Sequence, residues 1–301
     1  MSYLHDLDLE FIEQCDNDDL GILLEIVRGK LGDLRLSESI SRKEVYRQHF
    51  PNHRMYWREI AEELQRFGGN SVLNTVRGHG VRYKVILADV CDKVGVPLSD
   101  KITVADQEGR LLVALLERSV ARMTEDERRQ LLNGLDVPTT NLTSQSVIAA
   151  IQGIATLGSF GTYQIAVTVA NAAAKAVLGR GLTFAGNAAL TRAIGAATGP
   201  IGWAVTGLWT LKDLTSEAYR VTVPSCIQIA YMRAKVAAWS SGENLKSPRP
   251  GRARALAIKK TLKPHTSQSI ERDARSSKKP VRRVTRVRRN GVSSTKKSRR
   301  G

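Results

Sequence analysis

The chain has 301 residues, of which 42% are hydrophobic, and a formal net charge of +17, enough material for one large or two modest folded domains. All of the excess charge lies in residues 241–301, with 20 Lys/Arg against 3 Asp/Glu, while residues 1–240 carry 26 of each sign. The basic balance therefore describes the tail, and three scattered cysteines, Cys15, Cys91 and Cys226, argue against structural zinc or a disulfide framework.

The scattered cysteines suit a reducing cytosol, and the opening "MSYLHDLDLEF" places acids where an export signal carries bases and lacks an uninterrupted apolar h-region, which disfavours Sec export and mitochondrial import. Leu9, Ile12, Leu20, Leu23, Leu24, Ile26 and Val27 predict two short helices divided by Asp16-Asn17-Asp18-Asp19. Asp16 or Asn17 is placed to cap the second, where acids favour the helix dipole. The alternation in "LHDLDLEF" also suits a strand, but the segment is short and helix is preferred.

Residues 40–69 predict two helical pieces broken at Pro51. Tyr56, Ile60, Leu64 and Phe67 form the apolar face of the second, which Gly68-Gly69 stops. Val72, Leu73 and Val76 start another helix after an Asn70 or Ser71 cap, and Gly78-His79-Gly80 breaks it. Tyr83, Ile86, Leu87 and Val90 predict the next, ending near Gly95. Two more follow over 106–120 and 125–135, with Thr124 as the cap of the latter.

Val137 through Ala174 contains no charged residue, and no acid appears between Asp136 and Asp213. Ser146–Ala174 meets the length of about 20 residues needed to span a bilayer. Gln152, Thr156, Ser159, Thr162, Gln164, Thr168 and Asn171 dilute it, and Gly153, Gly158 and Gly161 call for close packing against some neighbour. Trp203 and Trp209 near the ends of Gly202–Leu211 suit an interfacial belt or a core. A hydrophobic helical hairpin buried against residues 1–135 or another subunit is the preferred reading; reversible insertion, peripheral attachment and an integral protein stay open. Val221–Ile229 is ambiguous around Pro224, and helix is preferred because Ile227, Ala230, Tyr231 and Ala234 recur on one side.

The fold class expected is all-α: a helical bundle, an Ala/Gly-rich hydrophobic helical region and a disordered basic tail. The divisions are a small N-terminal helical module over 1–38, a bundle over 39–136, the hydrophobic region over 137–240 and the tail over 241–301.

Signals for chemistry are weak. His79 in "RGHGVRYK" is flanked by Arg77, Arg82 and Lys84, which gives a base and an anion clamp in an enzyme, a structural turn otherwise, or a binding surface. A turn is favoured, and those four residues are kept as binding candidates. His49 and His53 bracket Pro51 and lack a zincin glutamate, so no metal site is expected. Asp89 and Asp92 with Glu59, Glu62 and Glu63 read as a solvated helix face, and Cys91 and Cys226 as core thiols. Arg220, three residues after Glu217, is a local helix partner and a surface candidate. In the tail, Arg282, Arg283, Arg286, Arg288 and Arg289 are spaced by valines without Tyr, Phe or Trp, which suits nonspecific phosphate binding rather than base readout.

"ELQRFGGNSVLNTVRGHGVRYKVILADVCDKV", Glu63 through Val94, resembles the central stretch of the bacterial YaaW family. Arg192–Arg233 resembles that family's C-terminal stretch through GPIG at Gly199–Gly202, AYRVT at Ala218–Thr222, and Pro224 followed by Ile229-Ala230. The opening "YLHDLDLEFIEQCDNDDLGILLEIV" resembles the module that accompanies it, so the likeness covers about residues 3–239. The basic tail departs from the short ending of that family. Part of the family is grouped with ubiquinol–cytochrome c chaperone domains, helical factors linked to respiratory complex assembly. The resemblance implies a helical, membrane-proximal binding role.

The function expected is a noncatalytic helical binding or assembly factor with no cofactor, cytoplasmic or peripheral at the inner membrane. An unknown protein partner is expected, with an anionic membrane surface and nonspecific nucleic acid, bound through the tail, as further partners. The alternatives are a membrane-inserting or pore-forming protein and a nucleic-acid-associated protein.

Overall fold

The acidic run at 16–19 sets the first boundary. In the computed structural model of the chain, which describes residues 3–28, 40–67, 80–138, 140–182 and 217–241, a 3-10 turn at Glu10–Gln14 gives way to helix α1, Asn17–Arg28. Asn17 does not spend its side chain on the helix. Its Oδ1 accepts from the His53 backbone N–H at 2.6 Å and its Nδ2 donates to the Pro51 carbonyl at 3.1 Å. Pro51 divides the next stretch as its missing N–H demands: α2 spans Glu44–His49, a 3-10 turn spans His53–Tyr56, and α3 spans Trp57–Phe67.

Helix α4, Tyr83–Val94, starts where Asp6 reaches across from the N-terminal segment and accepts the Tyr83 N–H at 2.6 Å, and it stops at left-handed Gly95. Thr103 and Asp106 form a capping box at the head of α5, Val104–Val120; Thr124 and Glu127 form another at the head of α6, Glu125–Gly134. The uncharged stretch then divides. Helix α7, Ser144–Ala155, is separated from α8, Ser159–Leu178, by Gly158 at φ 84°, a conformation L side chains rarely adopt. Gly161 is required by contact rather than dihedral, since a Cβ there would lie 2.1 Å from the Ile154 carbonyl oxygen. The stretch long enough for one span is thus two helices meeting at a bend. No helix among the described residues is long and apolar enough to cross a membrane. Helix α9 covers Glu217–Ser240, and the described residues hold helices and no strand.

One apolar core runs from Leu9 to Ala238; all of these helices contribute buried residues to it except α2, whose half-buried Val45 and Tyr46 pack against it. Its axis is α9, which packs on α1, α3, α4, α5 and α8. Every residue from Val221 to Met232 is buried, so α9 is buried all round where a one-sided pattern was expected. Pro224 forfeits one backbone hydrogen bond, a cost of about 3 kcal/mol that burial on every side of the helix offsets. Helix α8 is buried from Tyr163 to Ala174 and lies along α9, with Tyr163 stacked on Tyr231 at 6.2 Å. Its alanines let the two helix backbones approach closely.

Charged and polar contacts tie residues 3–28 to α9. Arg233 Nε donates to Glu108 Oε2 at 2.7 Å, its guanidinium donates to the Asp8 carbonyl at 2.6 Å, and its plane covers the Phe11 ring at 4.1 Å. Tyr83 donates its hydroxyl to the other Glu108 oxygen at 2.8 Å. Lys235 Nζ bridges Asp16 and Asp19, each at 2.7 Å, and Gln228 donates to the Asp19 carbonyl at 3.1 Å. Gln65 pairs with both backbone groups of Leu4. The carboxylates read as a solvated face divide in two. Asp89 and Asp92 are exposed, whereas Glu62 and Glu63 are buried, Glu62 against Lys43 at 2.5 Å and Glu63 beside Arg66 at 3.4 Å. The pattern on α3 concealed the burial of Glu62 because its partner, Lys43, comes from outside the helix, whereas Glu63 has Arg66 one turn along α3.

Candidate binding groove

Helix α5 has two faces of different character. Leu111, Leu112, Leu115 and Leu116 enter the core, while Ala105, Gly109 and Val113 follow one another at four-residue steps on the other side. These short side chains leave a groove of about 580 Å³ between α5, the 95–102 loop and the bend joining α7 to α8. Pro97 and Ile102 form one wall, and Ala155 and Ile165 the other. A Cβ added at Gly109 would meet nothing within 4 Å.

The walls are held from behind. Gln107, buried on α5, donates to the Pro97 carbonyl at 3.2 Å and to Cys91 Sγ at 3.4 Å. At one end Gln152 of α7 donates to Glu117 of α5 at 2.8 Å. Asp106 is engaged in the capping box with Thr103. Arg110 is the exposed cation on the groove, and Leu98 stands 52% exposed on the same loop. The groove is thus a mostly apolar trough whose acids already have partners. It suits recognition of an apolar segment more than proton transfer.

The binding candidates chosen from sequence lie apart from this groove or outside the described residues. Arg77 and His79 fall in the latter group, as do Arg282, Arg283, Arg286, Arg288 and Arg289. Arg82 is the N-cap residue of α4, makes no side-chain cap bond and is exposed. Lys84 is exposed in the first turn, 3.8 Å from Asp100. Both cations act on Asp8, whose carboxyl burial nevertheless raises above its ordinary value. Arg220 is exposed in the first turn of α9.

The thiols sit in the core. Burial pushes Cys91 up and Cys226 well above its ordinary value, so both stay protonated and poor as nucleophiles. His53 stands 2.5 Å from the Tyr56 hydroxyl, and burial lowers its pKa. No group of His, Cys, Asp and Glu among the described residues is arranged to hold a metal ion. Sequence reasoning missed the groove. Its signal was the Ala105, Gly109, Val113 series, hidden inside a leucine-rich helix.

Residues 52–226 match the family described as ubiquinol-cytochrome C chaperone. The chain is 44% identical over 237 residues to a UPF0174 protein of Helicobacter pylori strain J99, covering 78% of this chain and 94% of that one. It is 31% identical over 247 residues to the UPF0174 protein YaaW of Escherichia coli K12, covering 79% and 98%. No solved structure matches.

Proposed function

The chain belongs to the UPF0174 family that includes YaaW and carries its ubiquinol-cytochrome C chaperone domain, and from that premise we propose that it is a noncatalytic, chaperone-like binding factor. The groove on the outer face of α5 receives an apolar, helix-forming segment of a partner protein. Three kinds of support converge: the all-helical fold, the chaperone family, and a preformed trough of about 580 Å³ lying wholly within the matched domain. The trough carries the proposal. Small residues at four-residue steps leave room for one face of an incoming helix, which recognises such a trough through its own i, i+4 side chains. Helices α7, α8 and α9 serve as the apolar scaffold behind the groove, and the basic tail lies outside the described residues.

Aggregation of a thermally unfolding test enzyme, followed by light scattering without ATP, tests the proposal. The native chain is expected to suppress scattering at near-stoichiometric ratios. Gly109→Phe, whose Cβ has open space and whose ring extends into the trough, is expected to lose most of that suppression. Equal suppression by both proteins would remove the groove from the activity.

A further inference from the structure

A second surface lies away from the groove, at the turn between α2 and α3. Phe50 and Met55 are 55% and 54% exposed there, two of the few large apolar side chains in the described residues that stand in water. They are held in place. Phe50 packs on Tyr46 at 5.2 Å and on His53 at 6.0 Å, and Tyr56 contacts both Tyr46 and His53. Asn17 secures the intervening 51–53 backbone by its two hydrogen bonds.

The surroundings are cationic. Residues 42–58 contain five Lys/Arg and one acid, in a body of residues 1–240 whose charges balance as a whole. Arg47 and Arg54 are exposed and have no acidic partner among the described residues. Arg58 is exposed over the Trp57 ring at 4.6 Å, and Arg28 lies over Tyr46. The acids of α1 nearest to His53 are Asp18 and Glu25, and Glu25 is paired with Arg180.

We infer that this Arg-ringed Phe50–Met55 turn docks on an anionic lipid surface. Guanidinium groups match headgroup phosphates, and each cation near such a surface contributes about fivefold in binding. Phe50 and Met55 supply the apolar contact that electrostatics alone lacks; an aliphatic thioether gains nothing from base stacking, which disfavours nucleic acid. The inference is independent of the groove, so the Gly109→Phe variant leaves it intact.

The 20 Lys/Arg of residues 241–301 offer vesicles an electrostatic attraction that does not use the turn, so the test must read the turn itself. The native cysteines are buried. Met55→Cys in the full chain therefore takes a polarity-sensitive fluorophore selectively. Vesicles of phosphatidylglycerol and phosphatidylcholine at about 3:7 should shift this label to the blue and raise its intensity severalfold, by interfacial insertion. Adding Arg47→Gln and Arg54→Gln should cut the response severalfold at fixed lipid, although the tail still carries the protein down with the vesicles. Phe50→Ser should do the same, with circular dichroism confirming the helical content of each variant. A label introduced by Leu7→Cys should stay silent, since Leu7 is 76% exposed but lies between Asp6 and Asp8. A silent label at position 55 on vesicles that carry the protein down would overturn the inference. So would an equal response on pure phosphatidylcholine, indifference to the arginine changes, or an equal response to single-stranded RNA.

Discussion

The junction of residues 3–28 with α9 and the outer face of α5 solve opposite problems. At the junction, two carboxylates are buried and each has a cationic partner: Glu108 with Arg233, and Asp19 with Lys235, which also reaches the exposed Asp16. On α5, apolar surface is left facing a groove with no side chain filling it. Paired buried charges specify how elements fit together without adding much net stability, whereas an unfilled apolar trough gives up stability that a ligand restores. The difference places architecture at the first region and recognition at the second. Substitutions at the two should therefore separate folding from binding.

The largest effect is expected at the junction. Arg233→Ala leaves the Glu108 carboxylate buried and unpaired, and urea unfolding should show a loss of about 3–5 kcal/mol. Arg233→Met together with Glu108→Leu should recover most of that loss, because the pair is then replaced by apolar volume. A small loss in the single variant would show that the junction is less buried than described.

A smaller loss is expected where the uncharged stretch bends. Gly161→Ala drives a methyl into the Ile154 carbonyl and should cost about 1–3 kcal/mol, with Gly158→Ala in the same range from its positive φ. Thermal melts of the two variants measure this. Unchanged melts would mean that α7 and α8 form one continuous helix.

Acidity sharpens the comparison further. Burial raises the Glu108 carboxyl above its ordinary value, against the pull of Arg233 and the Tyr83 hydroxyl, and burial raises Asp19 likewise against Lys235. The native state then holds protons that the unfolded chain has released. Between the ordinary carboxyl range and the raised native values, these two groups add stability as pH falls, with a slope below about 1.4 kcal/mol per pH unit for each. Urea midpoints across pH 4.5–7 should reveal that contribution as the difference between native chain and Glu108→Gln, whose slope should be the less negative. Identical slopes would place the Glu108 titration outside this window. The smallest stability effect belongs to the groove: Gly109→Phe should move the melt by less than about 0.5 kcal/mol, since its Cβ meets nothing within 4 Å and its ring faces an open trough.

Local signals were legible in the sequence. Tyr83–Val94 and its stop at Gly95 follow from apolar spacing and one glycine, and the Thr124 cap with its acids needs only four consecutive residues. The helix through Pro224 was legible, but its burial was not. Thr222, Ser225 and Gln228 look like a polar face, and only tertiary neighbours bury them, as Asp19, 209 residues away, does Gln228. Glu62 and Glu108 were hidden for the same reason, since each is paired by a tertiary contact that spacing along a helix does not encode, whereas Glu63 has its partner Arg66 one turn along the same helix. The groove was harder still. Ala105, Gly109 and Val113 matter through the side-chain volume they lack, and a missing volume becomes a feature only when the 95–102 loop and the α7–α8 bend stand beside it. Arg82, Lys84 and Arg220 were chosen for charge and lie on the exposed first turns of α4 and α9.

Recognition through the outer face of α5 is most directly tested by crosslinking in cells that express the full chain. A photo-reactive amino acid replaces Val113, in the groove, or Glu125, exposed at the start of α6. A discrete protein adduct from position 113, absent from position 125 and lost when Gly109→Phe is added, is the predicted result. No adduct from position 113, or one that persists with the trough filled, would contradict it.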